Sequence, residues 1–388
     1  MTAGPDRRSL RIRGSFRGLT GHDHHTREFA RQLARLGIGV QLTDLPQWHP
    51  VKLADGARDP WYERLGGPVD AAATLQFCMP HQVRPEPGLL TVNYTMFEAC
   101  PAPADWIAHS RRHDLVVVPT ESSRQAWLAG GYPAKAIQVC PLGADLDRFA
   151  PGAAPLELQG PGGRPVSDYR VRVLNVMEPQ PRKNLVGLIR TWITATSAAD
   201  DAILIVKLSL AAPGSAAVLF RRLAVMQQAL GRGLREAAPV LFVNRLLGEQ
   251  EMPGLYAAAS HYWSMSCGEG WDLPMSEAAA TGLRLIAPRH SAYLAYLDGA
   301  VAQLIPSRLE PARTEPTQPW TAELFDGAQW WSPDPDAAAQ AVRNAIDGRD
   351  APAASARDRL AASFTWPQAA ARLTGILAEL HAERGRPF

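Results

Sequence analysis

The sequence predicts an α/β protein of two doubly wound domains, each a parallel sheet covered on both faces by helices. Three observations carry that expectation. Short apolar runs alternate with helical apolar spacing along nearly the whole chain, the pattern of repeated strand–helix–strand units. One stretch, residues 151–167, is rich in Gly and Pro and lacks any period, so it reads as a linker between two such series. The chain is 388 residues long, which suits two domains at about 100–200 residues each.

In chain order, residues 10–13 form a weak first strand, followed by a loop with glycines at Gly14, Gly18 and Gly21. Phe29, Leu33 and Leu36 recur at helical spacing, Gly37 closes that helix, and residues 40–42 begin the next strand. Residues 89–92, 115–118 and 137–139 continue the strands, with a helix over 122–128. The alternation restarts at 171–176 and goes on through 203–208, 240–243, 285–286 and 301–305. Residues 308–319 read as a Pro-rich surface loop. The last helix, 367–383, is apolar at Ala371, Leu373, Ile376, Leu377 and Leu380. The expected organisation is a first domain over 1–150, a linker over 151–168 and a second domain over 169–366.

Composition narrows the class. Apolar residues make up 46% of the chain, and a formal charge of +2 gives no overall nucleic-acid footprint. The first 35 residues carry eight arginines against three acids, which suits a solvated helix or a peripheral contact with a membrane's inner face. Cys78, Cys100, Cys140 and Cys267 are widely spaced without a C-x-x-C pair, so neither a zinc site nor a disulfide framework is expected. No run of 18 apolar residues occurs, and the Arg-rich start lacks a following apolar signal region. A cytoplasmic protein is expected.

The most telling stretch is Gly268-Glu269-Gly270-Trp271-Asp272-Leu273-Pro274-Met275-Ser276-Glu277, with seven residues between its two glutamates. Asp272 suits a helix N-cap and Pro274 a first turn, Gly282 ends the helix, and 284–288 reads as a buried strand. Glu269 is then expected on a loop and Glu277 in the helix's first turn, whose free N–H groups favour an anion. Such an arrangement suits a ligand both phosphorylated and rich in hydroxyls.

A second site follows the strand of 171–176. In Glu178-Pro-Gln-Pro-Arg182-Lys183-Asn184, Asn184 is a good N-cap, and Leu185, Leu188, Ile189, Trp192 and Ile193 form the stripe of the helix it starts. Arg182 and Lys183 therefore lie at a helix start on a strand's carboxyl end, where ligands gather in open α/β sheets. They suit the charge of a departing pyrophosphate. Lys207 ends the next strand and faces either the same cleft or solvent. His22, Asp23, His24 and His25 invite a metal reading, but a polar capping loop is the simpler account.

These segments resemble the retaining glycosyltransferases of family 4, the E-x7-E class with the GT-B fold: two Rossmann-like domains facing across a cleft, which implies that the C-terminal helix, about 367–388, packs back on the first domain. Asn93-Tyr-Thr95-Met-Phe-Glu98 with Pro101, Pro103 and Trp106 adds to the resemblance. So do Pro119-Thr-Glu-Ser-Ser, Pro141-Leu-Gly-Ala-Asp145-Leu-Asp-Arg-Phe149, Leu255-Tyr256 and Gln329-Trp330-Trp331. The resemblance implies that Glu269 lies beside the donor sugar and Glu277 accepts hydrogen bonds from the nucleotide ribose. It also implies a diphosphate held by Lys183, with Arg182 and Lys207 assisting and Gly270, Trp271 and Leu273 at the donor. Gly18, Gly21 and His22 would approach phosphates and acceptor from the first domain. Three departures stand out. Asp272 replaces a usual glycine, Met177 and Glu178 stand where a Gly-Arg is common, and a first-domain histidine is absent, leaving Glu98 or Thr95 to replace its contact.

The implied activity is retaining transfer of a hexose-type sugar from a UDP- or GDP-linked donor to a hydroxyl of a glycan, lipid-linked saccharide or small molecule. Neither a metal nor a further cofactor is expected. Two alternatives remain: a non-catalytic sugar-nucleotide-binding protein of the same architecture, and a nucleotide-sugar epimerase. The epimerases lack this E-x7-E context.

Overall fold

The computed structural model describes all residues except 1–7, 46–47, 49–51, 54–57, 210–214, 315–318 and 386–388. The start of the Arg-rich segment and the middle of the Pro-rich one thus lie outside the described residues. The chain forms two compact units, Met1–Gly143 with Ser363–Phe388, and Ala144–Ala362.

The first unit holds strands β1 (Ser9–Gly14), β2 (Gly39–Thr43), β3 (Ala73–Phe77), β4 (Leu90–Tyr94), β5 (Leu115–Val118) and β6 (Ile137–Val139). They form one sheet in the order β2-β1-β3-β4-β5-β6, parallel throughout. β1 reads weakly because it alternates. Leu10 and Ile12 are fully buried, while Arg11 pairs with Glu86 (2.5 Å) and Arg13 donates to Gln82 O (2.8 Å). β3 is a strand that the sequence did not suggest. Its Gln76 is buried because its side-chain amide pairs with the Arg84 backbone, donating to Arg84 O (2.6 Å) and accepting from Arg84 N (2.9 Å).

The helix Gly21–Arg35 is started by a capping box between Thr20 and Asp23. The helix Trp366–Glu383 packs on it, with Phe29 and Trp366 ring centroids 5.6 Å apart. Arg372 Nε donates to Val139 O (2.8 Å) and Cys140 Sγ to Ala369 O (3.4 Å). The approach is closest at Gly143, where a Cβ would lie 2.2 Å from Trp366 N, so a side chain there would push the helix away.

The second unit holds β7 (Val171–Met177), β8 (Ala202–Leu208), β9 (Val240–Val243), β10 (His261–Trp263), β11 (Arg284–Pro288) and β12 (Gln303–Ile305). The order β12-β11-β10-β7-β8-β9, again all parallel, makes β7 and β10 neighbours where the winding reverses. Leu188, Ile189, Trp192, Val342 and Ile346 join the helices Leu185–Ala195 and Pro335–Asp347 in its core. Trp192 Nε1 finds Ala238 O at 2.9 Å, so the ring is buried without stranding its donor. Residues 151–168 belong to this unit, and Leu156 N–H donates to Gly254 O (2.8 Å).

Two local expectations are corrected. Residues read as a loop from 308 are strand β13 (Ser307–Pro311), antiparallel to β14 (Gln329–Pro333), with Leu309 opposite Trp331. The helix Leu273–Thr281 takes Leu273 as its first residue, so Glu277 lies in its second turn rather than its first. Among the described residues no helix is long and apolar enough to cross a membrane.

Candidate active site

In a doubly wound sheet, the loops leaving the carboxyl ends of the two strands at the reversal splay apart and leave a crevice. Here those loops are 178–184 after β7 and 264–272 after β10. They are tied by backbone. Arg182 O accepts from Cys267 N (2.6 Å) and from Ser266 Oγ (3.2 Å), and Asn184 Nδ2 donates to Met265 O (3.1 Å). Asn184 is left-handed (φ 55°), and its Oδ1 caps the helix by accepting from Gly187 N (3.2 Å). A Cβ at Gly187 would come within 2.4 Å of that oxygen, which is why glycine stands there.

This stitching brings three charges together. Lys183 Nζ lies 2.5 Å from Glu269 Oε1, and Arg182 Nη1 lies 3.0 Å from Glu269 Oε2 and 2.9 Å from Gly268 O. Burial alone would raise the Glu269 carboxyl. Lys183 and Arg182 outweigh it and hold the group well below the usual carboxylate range. Glu269 is buried, at 4% exposure.

The loop carrying Glu269 is held from outside by residues that the sequence reading passed over. His290 Nε2 donates to Ser266 O (2.8 Å), so its Nδ1 accepts from Ser291 Oγ (2.8 Å), which in turn accepts from Glu269 N (3.4 Å). Burial pushes His290 down to about 4, keeping the ring neutral. The Trp331 ring of β14 stacks on His290 at 5.3 Å, and the Trp331 backbone N–H donates to Cys267 O (2.8 Å). Tyr296 Oη donates to Trp271 O (3.0 Å), and the two rings lie 4.9 Å apart. The one available signal was position, since 289–296 follows the carboxyl end of β11, next to the reversal.

Asp272 occupies the N-cap position, but its side chain makes no capping bond. Its backbone is left-handed (φ 64°), and its Oδ2 accepts from Tyr293 Oη (2.7 Å), while Oδ1 is buried without a partner. Burial, reinforced by the Glu269 charge, pushes this carboxyl up to about 6. A left-handed backbone does not forbid capping, since Asn184 caps from one; the Asp272 carboxyl is instead turned to Tyr293.

Glu277 Oε2 accepts from Tyr256 Oη (2.6 Å). Lys207 is buried beside the carboxyl end of β7, in register with Val176, and its Nζ donates to Leu208 O (2.7 Å); burial lowers it to about 8. It is therefore not a solvated surface lysine. Gly270 and Trp271 are buried and Leu273 half-buried.

The remaining candidates belong to the first unit. Asp23 accepts from Gly18 N (2.8 Å), Thr20 N (3.0 Å), Ser15 Oγ and Thr20 Oγ1, and a Cβ at Gly18 would meet it at 2.7 Å. Arg27 Nη1 donates to Phe16 O (2.6 Å) and Gly18 O (2.8 Å), clamping the same loop. Gly21 opens the helix, and His22 lies against Trp48 (4.4 Å), His24 against Trp366 (5.7 Å) and His25 against Phe77 (4.6 Å). These rings diverge, and among the described residues no group of three or more His, Cys, Asp or Glu is placed to hold a metal. Thr95 is buried just after β4, with its N–H on Val117 O (2.9 Å), and Glu98 is half-buried on the same loop.

Two parallel, six-stranded α/β units in one chain define the GT-B architecture of two Rossmann-like domains, and solved structures of that architecture share the fold. A sucrose-phosphate synthase from Thermosynechococcus elongatus is similar at 16% identity and a TM-score of 0.64, over 97% of this chain and 100% of that one. Anabaena HepE in complex with UDP and glucose is similar at 14% identity and 0.65, over 96% and 100%. An α,α-trehalose 6-phosphate synthase from Burkholderia multivorans is similar at 13% identity and 0.63, over 97% and 100%. No family model and no curated protein sequence matches the chain.

Proposed function

We propose that this protein is a glycosyltransferase that takes a hexose-type sugar from a nucleotide diphosphate, UDP or GDP, and passes it with retention to an acceptor hydroxyl. The observation that carries the reading is the meeting of Lys183, Arg182 and Glu269 at the strand-order reversal of the second unit. Structures sharing the fold include HepE with UDP and glucose and with UDP-glucose, which supports a nucleotide-sugar donor.

In the proposed reaction the bond between the anomeric carbon and the diphosphate oxygen breaks, and the acceptor oxygen bonds to that carbon on the same face. The acceptor proton passes to the departing phosphate. Positive charge develops on the sugar and negative charge on the diphosphate. Lys183, assisted by Arg182 and Lys207, stabilises the leaving group. Glu269 orients the sugar and stabilises its positive charge. Glu277, oriented by Tyr256, receives the ribose hydroxyls. The Trp271 ring is buried against Tyr296, so residues 270–273 would meet the donor through backbone. In the first unit, the loop of Gly18, Gly21 and His22, with Thr95 or Glu98, would serve the acceptor: a glycan, lipid-linked saccharide or small molecule. No step calls for a divalent metal.

The test is a panel of UDP- and GDP-sugars, with nucleotide binding, nucleotide release and product configuration all measured, in the presence and absence of chelator. Absence of nucleotide binding would sink the reading. Binding without release would favour a non-catalytic binder, an inverted product would remove retention alone, and loss of transfer in chelator would remove metal independence.

A further inference from the structure

Lys183 and Arg182 are held by the same carboxylate but not in the same way. Arg182 Nη1 bonds Gly268 O (2.9 Å) as well as Glu269 Oε2, and Arg182 O is tied to Cys267 N (2.6 Å), so this residue is anchored at both ends. The Lys183 ammonium goes to Glu269 Oε1 at 2.5 Å, on a flexible four-carbon stem. Its side chain keeps 15% exposure, against 4% for that of Glu269. One member of the triad can swing while the other two stay.

An incoming diphosphate meets cations that already carry a protein anion. To use Lys183 fully it must draw the ammonium off Glu269, because two anions cannot share one half-buried ammonium without like-charge repulsion. Asp272 adds a second acid beside Glu269, so a shared arrangement is penalised further.

We propose that Glu269 is a built-in competitor of the donor's diphosphate: Lys183 shuttles between the two anions, while Arg182 stays with Glu269. This rests on the function proposed above. When Lys183 turns to the diphosphate, Glu269 keeps Arg182 and loses half its neutralisation, which makes it a stronger partner for positive charge developing on the sugar. After transfer, Glu269 reclaims Lys183 and the nucleotide diphosphate is released. The same residue therefore weakens product binding and speeds the reacting step.

The test is calorimetric titration of UDP and GDP into wild type, Glu269→Gln, Lys183→Ala and the double variant. Glu269→Gln is expected to bind the nucleotide diphosphate about tenfold more tightly than wild type, from removal of one competing charge, while turning over more slowly. In the Lys183→Ala background the same change is expected to give no gain, because the contested ammonium is gone. If Glu269→Gln does not fold, Glu269→Asp serves, since the shorter side chain withdraws from Lys183. Unchanged or weaker binding in the folded variant overturns the proposal, as does a gain that persists without Lys183. If wild type binds no nucleotide diphosphate, the function reading itself fails and takes this proposal with it.

Discussion

The glycine loop of the first unit and the Glu269 loop of the second are built to the same plan and differ in one respect. Each follows the carboxyl end of a parallel strand, leads into a helix and encloses a buried carboxylate. Burial pushes both carboxyls up, and in both it is outweighed. Asp23 is lowered first by hydrogen bonds from Ser15, Thr20 and Gly18, donors in its own loop. Glu269 is lowered by Lys183 and Arg182, which arrive from a loop 86 and 87 residues away in sequence. An acid satisfied by neutral neighbours in its own loop fixes a shape. One satisfied by distant cations stores a charge arrangement that a ligand can re-partition.

That contrast can be broken or sharpened by experiment. The largest expected effect is on turnover: Lys183→Ala should lower kcat/KM by roughly 10²–10³, as for loss of one preorganised electrostatic contact, and should also lower the unfolding temperature, because buried Glu269 then keeps only Arg182 as a cation. Wild-type kinetics in that variant would remove Lys183 from the chemistry. Asp23→Ala should act chiefly through the fold. It leaves buried donors unsatisfied and should cost about 2–4 kcal/mol in denaturant unfolding. An unaltered midpoint would show that the Asp23 cap is dispensable.

The two glutamates of the E-x7-E motif should separate next. Glu277→Ala should mainly raise the Kd for nucleotide diphosphate, whereas Glu269→Ala should cut kcat without weakening that affinity. Equal losses of affinity in both would erase the division. The smallest effect concerns pH. The Asp272 carboxyl titrates near 6 in the folded protein against 3.8 ordinarily. The folded state thus holds a proton that the unfolded state has released, and stability falls as pH rises through that window. Asp272→Asn, which tolerates the same left-handed backbone, removes this loss. Its melting temperature relative to wild type should climb by a few degrees between pH 4 and pH 7. A pH-independent difference would show that Asp272 is not the titrating group.

The same distinction between local and distant partners explains what was legible in the sequence. Val-, Leu- and Ile-rich strands such as β5, β7 and β8 announced themselves, and with them the two doubly wound sheets. β10 is three residues, His261–Trp263, too short to show a period. β3 carries Gln76, whose burial depends on a loop eight residues on. Pro-rich composition concealed β13, whose partner lies beyond a further helix. In the site, Arg182, Lys183 and Glu269 were readable because each sits in a short local pattern. His290, Tyr293, Tyr296 and Trp331 were not, because their roles exist only once β10, β11 and the β13–β14 hairpin are assembled. Asp272 misled for a related reason: residue type predicted a cap, and Tyr293, from the segment after β11, takes its carboxyl instead.

The close approach of Gly143 to Trp366 carries a consequence for the order of biosynthesis. The first unit combines strands that precede residues 144–362 with a helix that follows them, so the whole of that segment is translated in between. Until residues 366–383 leave the ribosome, the helix Gly21–Arg35 lacks the surface that covers Phe29, and Leu373 and Leu377 have not yet been built. The second unit has all its strands in one uninterrupted stretch and can close first. The first unit is therefore begun before the second and finished after it, and a chaperone or protease acting on the nascent chain would find its opening there.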